Sequence, residues 1–285
     1  MDSIIIASLL VVLLWSFVDA VSKLYINRFG KELSSLIVLA IGIIPMLFLA
    51  MAYPYQGNTL FLLFIGFVGG LALFLGYILV YKSVPSGGVS NSYILVEIQP
   101  TFLILFGLFV LGEHIGIGKV TSIILIFIGI SLILLSKKFK LNKQLVPAFI
   151  GNAVWATYWA IIILAFLYYK SFILPLLFAR VFGAFFAYLF YKAKSPKNYY
   201  KINLSKLEIS IITIIILAGL FDGFGNILFA FISFSNKVVF GSAILSSEPI
   251  IIWLIGLIAY HEKITVKQKI GFLVATIGYL LFTLL

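Results

Sequence analysis

Residues 137–143 read Lys-Lys-Phe-Lys-Leu-Asn-Lys, and this basic stretch divides the 285-residue chain near its middle. Its charges are too dense for hydrocarbon, so the stretch is predicted to be a linker outside the membrane. On both sides of it lie repeated apolar runs, each long enough to cross a hydrocarbon core of about 30 Å at about 1.5 Å per residue. The sequence therefore predicts a first domain at 1–136, a linker at 137–146 and a second domain at 147–285.

The composition indicates that lipid is the solvent for most of the chain. Hydrophobic residues make up 63% of the sequence and charged residues only 10%, with a mean hydropathy of +1.21. This is more apolar surface than a globular core of this length can bury. The net charge of +11 is explained by membrane topology and does not indicate a nucleic-acid partner. We expect a multi-pass integral protein of the cell membrane.

Apolar runs and turn signals predict an all-α membrane protein with ten transmembrane helices. The predicted spans lie near residues 4–22, 34–53, 60–81, 88–111, 118–136, 147–168, 172–191, 209–231, 238–260 and 265–285. Each domain contains five of them, and because five is odd, the second domain must enter the membrane from the opposite face. The predicted fold is therefore two inverted five-helix repeats.

The two halves resemble each other in sequence. With a shift of 149 residues, residues 70–135 align with residues 219–284 without a gap. Uncommon residue types coincide in this alignment: Gly76 with Gly225, Pro100 with Pro249, Gly107 with Gly256, Glu113 with Glu262, and Gly129 with Gly278. Such coincidences indicate an internal duplication.

Basic residues follow alternate spans. The loops after spans 1, 3, 5, 7 and 9 hold 16 of the 20 Lys and Arg residues. By the positive-inside rule these loops face the cytoplasm, which places both termini outside.

Ionisable residues inside spans are the first candidates for a functional site. They are Asp19, Glu97, Arg180, Asp222 and Glu248. Each costs roughly 2.5–3.5 kcal/mol on insertion-based scales, so each is expected to face protein or water and to have a partner. Glu113 and Glu262 lie near span ends and are expected to reach the membrane interface.

Two of these acids, Glu97 and Glu248, each lie within one turn before a proline, Pro100 and Pro249. Proline removes an amide donor, so each helix is predicted to break there. Broken helices at matching positions of two halves indicate a central binding site. Glu97, Glu248 and Asp222 are therefore candidate coupling-ion residues. The alternative is an ordinary kink whose carboxylate is satisfied by a neighbouring Ser, Tyr or Asn.

Two roles are open for Arg180. It can bind an anionic group of a substrate, such as a carboxylate. It can instead form a salt bridge, for example to Asp222, that only fixes two helices.

Aromatic and polar residues of other spans complete the predicted site. Trp15 and Asp19 are four residues apart and therefore share one helix face. Trp155 lies on an amphipathic surface of the sixth span and can line a cavity, although Trp also clusters at membrane interfaces. The predicted substrate-binding residues are Trp15, Asp19, Trp155, Arg180 and Asn226.

Several of these residues also form a family pattern. Leu14-Trp15 and Lys23 lie in the first span, Trp155 in the sixth, and Pro175 precedes Arg180 in the seventh. With the two copies of a proline helix followed by Glu and a glycine helix, the sequence resembles the drug/metabolite transporter superfamily, in its ten-helix EamA-like branch. The resemblance implies a secondary transporter with a central cavity between two halves. It also implies cytoplasmic termini, opposite to the charge distribution, so the orientation stays open.

The leading hypothesis is an alternating-access carrier that exports a small metabolite, such as an amino acid or a drug-like amphipathic solute, with proton coupling as one option. The alternatives are an uncoupled facilitator or exchanger and, from another class, a membrane scaffold that transports nothing. The sequence carries no His-Glu-x-x-His motif, no phosphate-binding loop and no cysteine, so no catalytic residue, metal or cofactor is expected.

Overall fold

The structure, a computed structural model, describes residues 2–53, 58–87, 98–135, 146–169, 171–194, 209–248, 250–252, 254–255 and 265–285. Within these ranges every regular element is an α-helix, so the predicted helical class is confirmed. The helices are α1 (Asp2–Ile41), α2 (Ile43–Ala50), α3 (Thr59–Gly87), α4 (Ile98–Phe109), α5 (Ile117–Leu135), α6 (Val146–Phe166), α7 (Ile173–Lys194), α8 (Ile209–Phe234), α9 (Val238–Leu245) and α10 (Val266–Leu284). Most of the predicted linker lies outside the described residues.

Helix α1 is not one straight helix, because the chain turns sharply at Gly30. This residue has φ 75° and ψ 162°, a conformation essentially restricted to glycine. The hydroxyl of Ser34 donates a hydrogen bond of 3.2 Å to the carbonyl oxygen of Tyr25. A straight helix would separate these residues by about 13.5 Å, so residues 2–29 and 31–41 are two helices joined at one residue. The loop predicted at 23–33 is thus mostly helical.

Among the described residues, five helical stretches are long and apolar enough to cross a membrane: Ser3–Ala50, Thr59–Val84, Val146–Phe166, Ile173–Lys194 and Ile209–Phe234. The first has 48 residues and contains the turn at Gly30, which divides it into two helices. Shorter apolar helices occupy Gln99–Phe109, Ile117–Leu132, Val238–Ile252 and Lys269–Phe282. The chain is thus an integral membrane protein by its helices, and the number of ten spans stays a prediction.

Helices from the first half of the chain pack against helices from the second half. Helix α1 packs on α8, α3 packs on α6 and α7, α4 packs on α9, and α5 packs on α10. The most extensive helix contacts are therefore made between the halves.

Helices α5 and α10 cross at two glycines, Gly129 and Gly278. A Cβ atom on Gly129 would lie 2.6 Å from the carbonyl oxygen of Gly271, and one on Gly278 would lie 3.0 Å from that of Ser122. Small residues allow this backbone approach. Gly129, in the C-terminal half of α5, approaches Gly271 in the N-terminal half of α10, and Gly278 in the C-terminal half of α10 approaches Ser122 in the N-terminal half of α5. The two helices therefore run antiparallel.

Candidate functional site

A cavity of about 480 Å³, its opening included, lies between the two halves. Five helices line it (α1, α3, α4, α6 and α8), together with the segment that follows α9. Its lining residues are Trp15, Val18, Asp19, Leu73, Tyr77, Gln99, Trp155, Tyr158, Trp159, Asp222, Asn226 and Glu248. Aromatic rings and acidic or amide side chains thus dominate the walls.

Glycines in the facing helices position two of the tryptophans. A Cβ atom on Gly76 would lie 2.8 Å from Cγ of Trp155, and one on Gly225 would lie 2.7 Å from Cδ1 of Trp15. Gly76 and Gly225 are equivalent in the sequence repeat, and each receives a tryptophan from the other half of the chain. The absence of a side chain at these two positions lets the indole rings lie flush with the cavity wall.

The aromatic rings contact one another around the cavity. The ring centroids of Tyr77 and Trp155 are 5.1 Å apart at 77°, and those of Trp15 and Trp159 are 6.2 Å apart at 47°. Tyr158 lies 5.2 Å from Trp159. Edge-to-face and tilted pairs of this kind hold aromatic side chains in fixed orientations.

Arg180 and Asp222 form a buried ion pair between α7 and α8, from Nη1 to Oδ2. The other N–H groups of this guanidinium donate to carbonyl oxygens near the end of α1, from Nε to Leu39 at 3.0 Å and from Nη2 to Val38 at 2.9 Å. Arg180 is fully buried and is not among the residues that line the cavity. The salt bridge considered from the sequence is therefore present, and it joins three helices.

Asp19 and Glu248 line the same cavity. Both are buried, with exposed fractions of 8% and 2%. The hydroxyl of Ser16, one turn from Asp19, donates to the backbone carbonyl of Glu248 at 3.4 Å. The first helix is thereby attached to the segment after α9 at the position of the two acids.

An amide group extends the polar wall beyond Asp222. Nδ2 of Asn226 donates to the backbone carbonyl of Asp222 at 2.8 Å. The hydroxyl of Tyr158 donates to Oδ1 of Asn226 at 3.4 Å. A polar chain thus runs from α6 to the ion pair.

Most residues predicted from the sequence meet at this cavity. Trp15, Asp19, Trp155, Asp222, Asn226 and Glu248 all line it. Arg180 lies behind Asp222, Pro100 lies in the first turn of α4, and Glu97 and Pro249 lie outside the described residues. Their roles in binding and coupling remain predictions. Sequence reasoning missed Tyr77, Gln99 and Tyr158, although Trp155, Tyr158 and Trp159 have the spacing of one helix face.

The interpretation of Glu113 as an interfacial residue needs correction. Its carboxylate accepts hydrogen bonds from the backbone amides of Val238 at 2.8 Å and Val239 at 3.0 Å. These are the first residues of α9, whose amides have no acceptor within the helix. A carboxylate there also interacts favourably with the helix dipole. Glu113 therefore belongs to the contact between the halves, beside a wide opening of about 1590 Å³ that Lys119 and Lys237 also line.

Comparisons with known proteins bear on the fold and the family. A solved crystal structure, described only as that of a protein, aligns with all of this chain and 97% of its own, with a TM-score of 0.73 and 16% identity. At this identity the similarity shows the fold alone. No curated protein matches the chain in sequence. Residues 2–135 match the EamA-like transporter family, in agreement with the resemblance drawn from the motifs, whereas the ten-helix detail of that resemblance stays a prediction.

Proposed function

We propose that this protein belongs to the EamA-like transporter family, part of the drug/metabolite transporter superfamily, which residues 2–135 match, and that it is a secondary transporter that moves a small metabolite by alternating access. The observation that carries the proposal is the central cavity, which is lined by both halves and contains acids, an amide and aromatic rings. Intramembrane acids that face a cavity characterise substrate and ion pathways.

Two contacts support the inverted repeat that alternating access uses. Gly129 and Gly278 are equivalent positions, and the residues they approach, Gly271 and Ser122, are separated by the same shift of 149 residues. The copies of this helix pack antiparallel, as inverted copies must. Gly76 and Gly225 are also separated by 149 residues, and each contacts a tryptophan of the other half, Trp155 and Trp15 respectively. In an inverted-repeat transporter the two halves adopt different conformations, and the cavity opens to one face of the membrane. When the halves exchange conformations, the cavity opens to the other face.

Proton coupling is the option that the geometry favours over an uncoupled facilitator. Asp19 and Glu248 are both buried in the cavity wall, and no Lys or Arg lines the cavity among the described residues, so binding of a proton would remove the cost of their buried charge. A proton bound in a cavity that alternates between two faces is moved from one face to the other. Asp222 is the weaker candidate, because Arg180 neutralises it.

The test is transport by the purified protein in liposomes, with radiolabelled amino acids, sugars and amines supplied with and without an imposed proton gradient. We expect gradient-driven flux for at least one class, and its loss in Asp19→Asn and Glu248→Gln. Glu32→Gln, which changes the half-buried Lys31–Glu32 ion pair, is the matched control and should transport normally. Flux that follows only the substrate gradient would favour the facilitator, and no flux of any solute would favour a scaffold.

A further inference from the structure

The wide opening beside Glu113 is a second place where the two halves meet, and it shares no residue with the central cavity. It lies at one end of the helix bundle. Its walls are the start of α1, the turn between α4 and α5, the turn between α8 and α9, and the end of α10. We propose that this opening binds the headgroup of an anionic phospholipid. The inference does not depend on which solute the central cavity takes.

Two lysines from different halves line the opening. Lys119 is the third residue of α5, and Lys237 is the last residue before α9. Among the described residues no acid, the terminal carboxyl group of Leu285 included, lies within ion-pair distance of either ammonium group. Glu113 also lines the opening, but both of its carboxylate oxygens already accept hydrogen bonds from the first amides of α9. Both ammonium groups are therefore available to a phosphate group.

The position of Lys237 is fixed by the way in which α8 ends. The amide of Lys237 donates to the carbonyl oxygen of Ile232 at 3.3 Å, and the amide of Asn236 donates to that of Ser233 at 3.1 Å. Asn236 has φ 55°, the left-handed conformation that such a helix end uses. These two bonds define a Schellman motif, which holds the backbone of Lys237 at the rim of the opening.

Two buried aromatic rings position the side chain of Lys119. Its Nζ lies 5.4 Å from the ring centroid of Phe240 and 5.7 Å from that of Phe282, and the two centroids are 5.3 Å apart. A cation within about 6 Å of an aromatic ring is attracted to its face, but the ring does not neutralise the charge. The opening thus presents a cation directly beside apolar surface, the combination that a lipid phosphate and its acyl chains require.

Apolar surface next to the opening favours a lipid over a soluble anion. Phe109, Val110 and Ile117 flank the turn between α4 and α5, and Leu284 lies at the end of α10; each is more than half exposed. An exposed apolar patch of this kind indicates contact with a membrane or a partner. A lipid bound by its phosphate can place its acyl chains on this surface, whereas a soluble anion leaves it uncovered. Basic pockets between transmembrane helices bind anionic headgroups in the same way.

Native mass spectrometry of the purified full chain in detergent measures this binding. The probe is phosphatidylglycerol, and the comparators are phosphatidylcholine with the same acyl chains and glycerophosphoglycerol, which is the anionic headgroup without acyl chains. We expect phosphatidylglycerol to bind at least 10-fold more tightly than either comparator. Equal affinity for phosphatidylcholine would overturn the requirement for a negative charge. Equal affinity for glycerophosphoglycerol would show a site for a soluble anion and overturn the assignment to a lipid.

Substitution of the two lysines locates the site. Lys119→Gln and Lys237→Gln should each weaken phosphatidylglycerol binding about fivefold, and the double variant roughly 25-fold, because each basic side chain near a membrane surface contributes about that factor. Lys192→Gln is the matched control. Lys192 is also a helix-end lysine beside an aromatic ring, 5.8 Å from the centroid of Tyr188, but it does not line the opening. It should leave the binding unchanged.

Equal phosphatidylglycerol binding by the double variant and by Lys192→Gln would overturn the inference. If a lysine variant does not fold, a salt titration of the unaltered protein decides, because binding by exposed charges weakens as salt screens them. Phosphatidylglycerol binding that is the same at low and high salt would then overturn the inference.

Discussion

The indole ring of Trp155 occupies the space beside Gly76 that any larger side chain would fill. This contact joins α3 of the first half to α6 of the second, and it places the ring in the wall of the central cavity. The position of Trp155 is therefore set by a residue that does not itself line the cavity.

Substitution of this glycine should displace the ring. Gly76→Ala adds a methyl group that overlaps the indole, and overpacking of this kind costs about 1–3 kcal/mol. We expect a lower thermal transition in detergent, a shifted tryptophan emission spectrum and reduced flux, and the same from Gly225→Ala through Trp15. Gly116→Ala is the matched control, because its Cβ would meet open space. Normal emission and flux in both cavity variants would contradict the role given to the glycines.

Removal of one partner of the Arg180–Asp222 pair should cost more stability than removal of one partner of a more exposed ion pair. Asp222→Asn leaves the guanidinium without its counter-charge, and loss of one partner of a buried pair costs about 3–5 kcal/mol. Glu32→Gln removes an acid from a pair whose side chains are 32% and 24% exposed, and should cost under about 1 kcal/mol. Thermal unfolding of the two variants in the same detergent measures the difference. Similar transition temperatures would show that the buried pair adds little.

Removal of the Glu113 carboxylate should destabilise the start of α9. Glu113→Ala leaves the amides of Val238 and Val239 without an acceptor, a loss comparable to that of a helix cap, about 0.5–2 kcal/mol. Glu113→Gln retains one acceptor oxygen and should cost less. Hydrogen exchange of the α9 amides is the measurement, with the exposed His114→Ala as the control. Unchanged exchange at Val238 and Val239 in the alanine variant would refute the capping role.

The inverted repeat predicts opposite faces for equivalent loops. The chain has no cysteine, so single cysteines can be introduced without removing any other. Ala52→Cys follows α2 in the first half, and Lys194→Cys is at the last residue of α7, the corresponding span of the second half. A membrane-impermeant thiol reagent should label the two positions from opposite sides of intact vesicles. Labelling of both from one side would exclude inverted copies.

The acids of the cavity could be predicted from the sequence because a charged residue inside an apolar run is unusual. Asp19 and Asp222 were identified by that contrast, and Glu248 by that contrast and by its position before Pro249. Tyr77 and Gln99 were not identified, because a tyrosine or an uncharged amide in an apolar helix has no such contrast. Their position depends on which face of α3 or α4 turns inward, and packing between the halves decides that face.

Two further features depended on tertiary structure. The residues around Gly30 were predicted as a loop of several residues, because they lie between the apolar runs at 4–22 and 34–53, whereas the helices continue to within one residue of the turn. Glu113 was interpreted as interfacial because the sequence places it near a span end but does not show that it contacts the first residues of α9. The start of α9 lies 125 residues further along the chain, and no local pattern connects the two.

The bond from Glu113 to α9 also concerns how the protein is made. Synthesis proceeds from the N-terminus, so the first half is in the membrane before residues 238 and 239 leave the ribosome. The Glu113 carboxylate, which accepts hydrogen bonds from the first turn of α9, is thus already in the membrane when that turn forms. If the two halves were expressed as separate polypeptides, the second would have to find the first before this turn could be completed, and its survival in the cell should depend on co-expression.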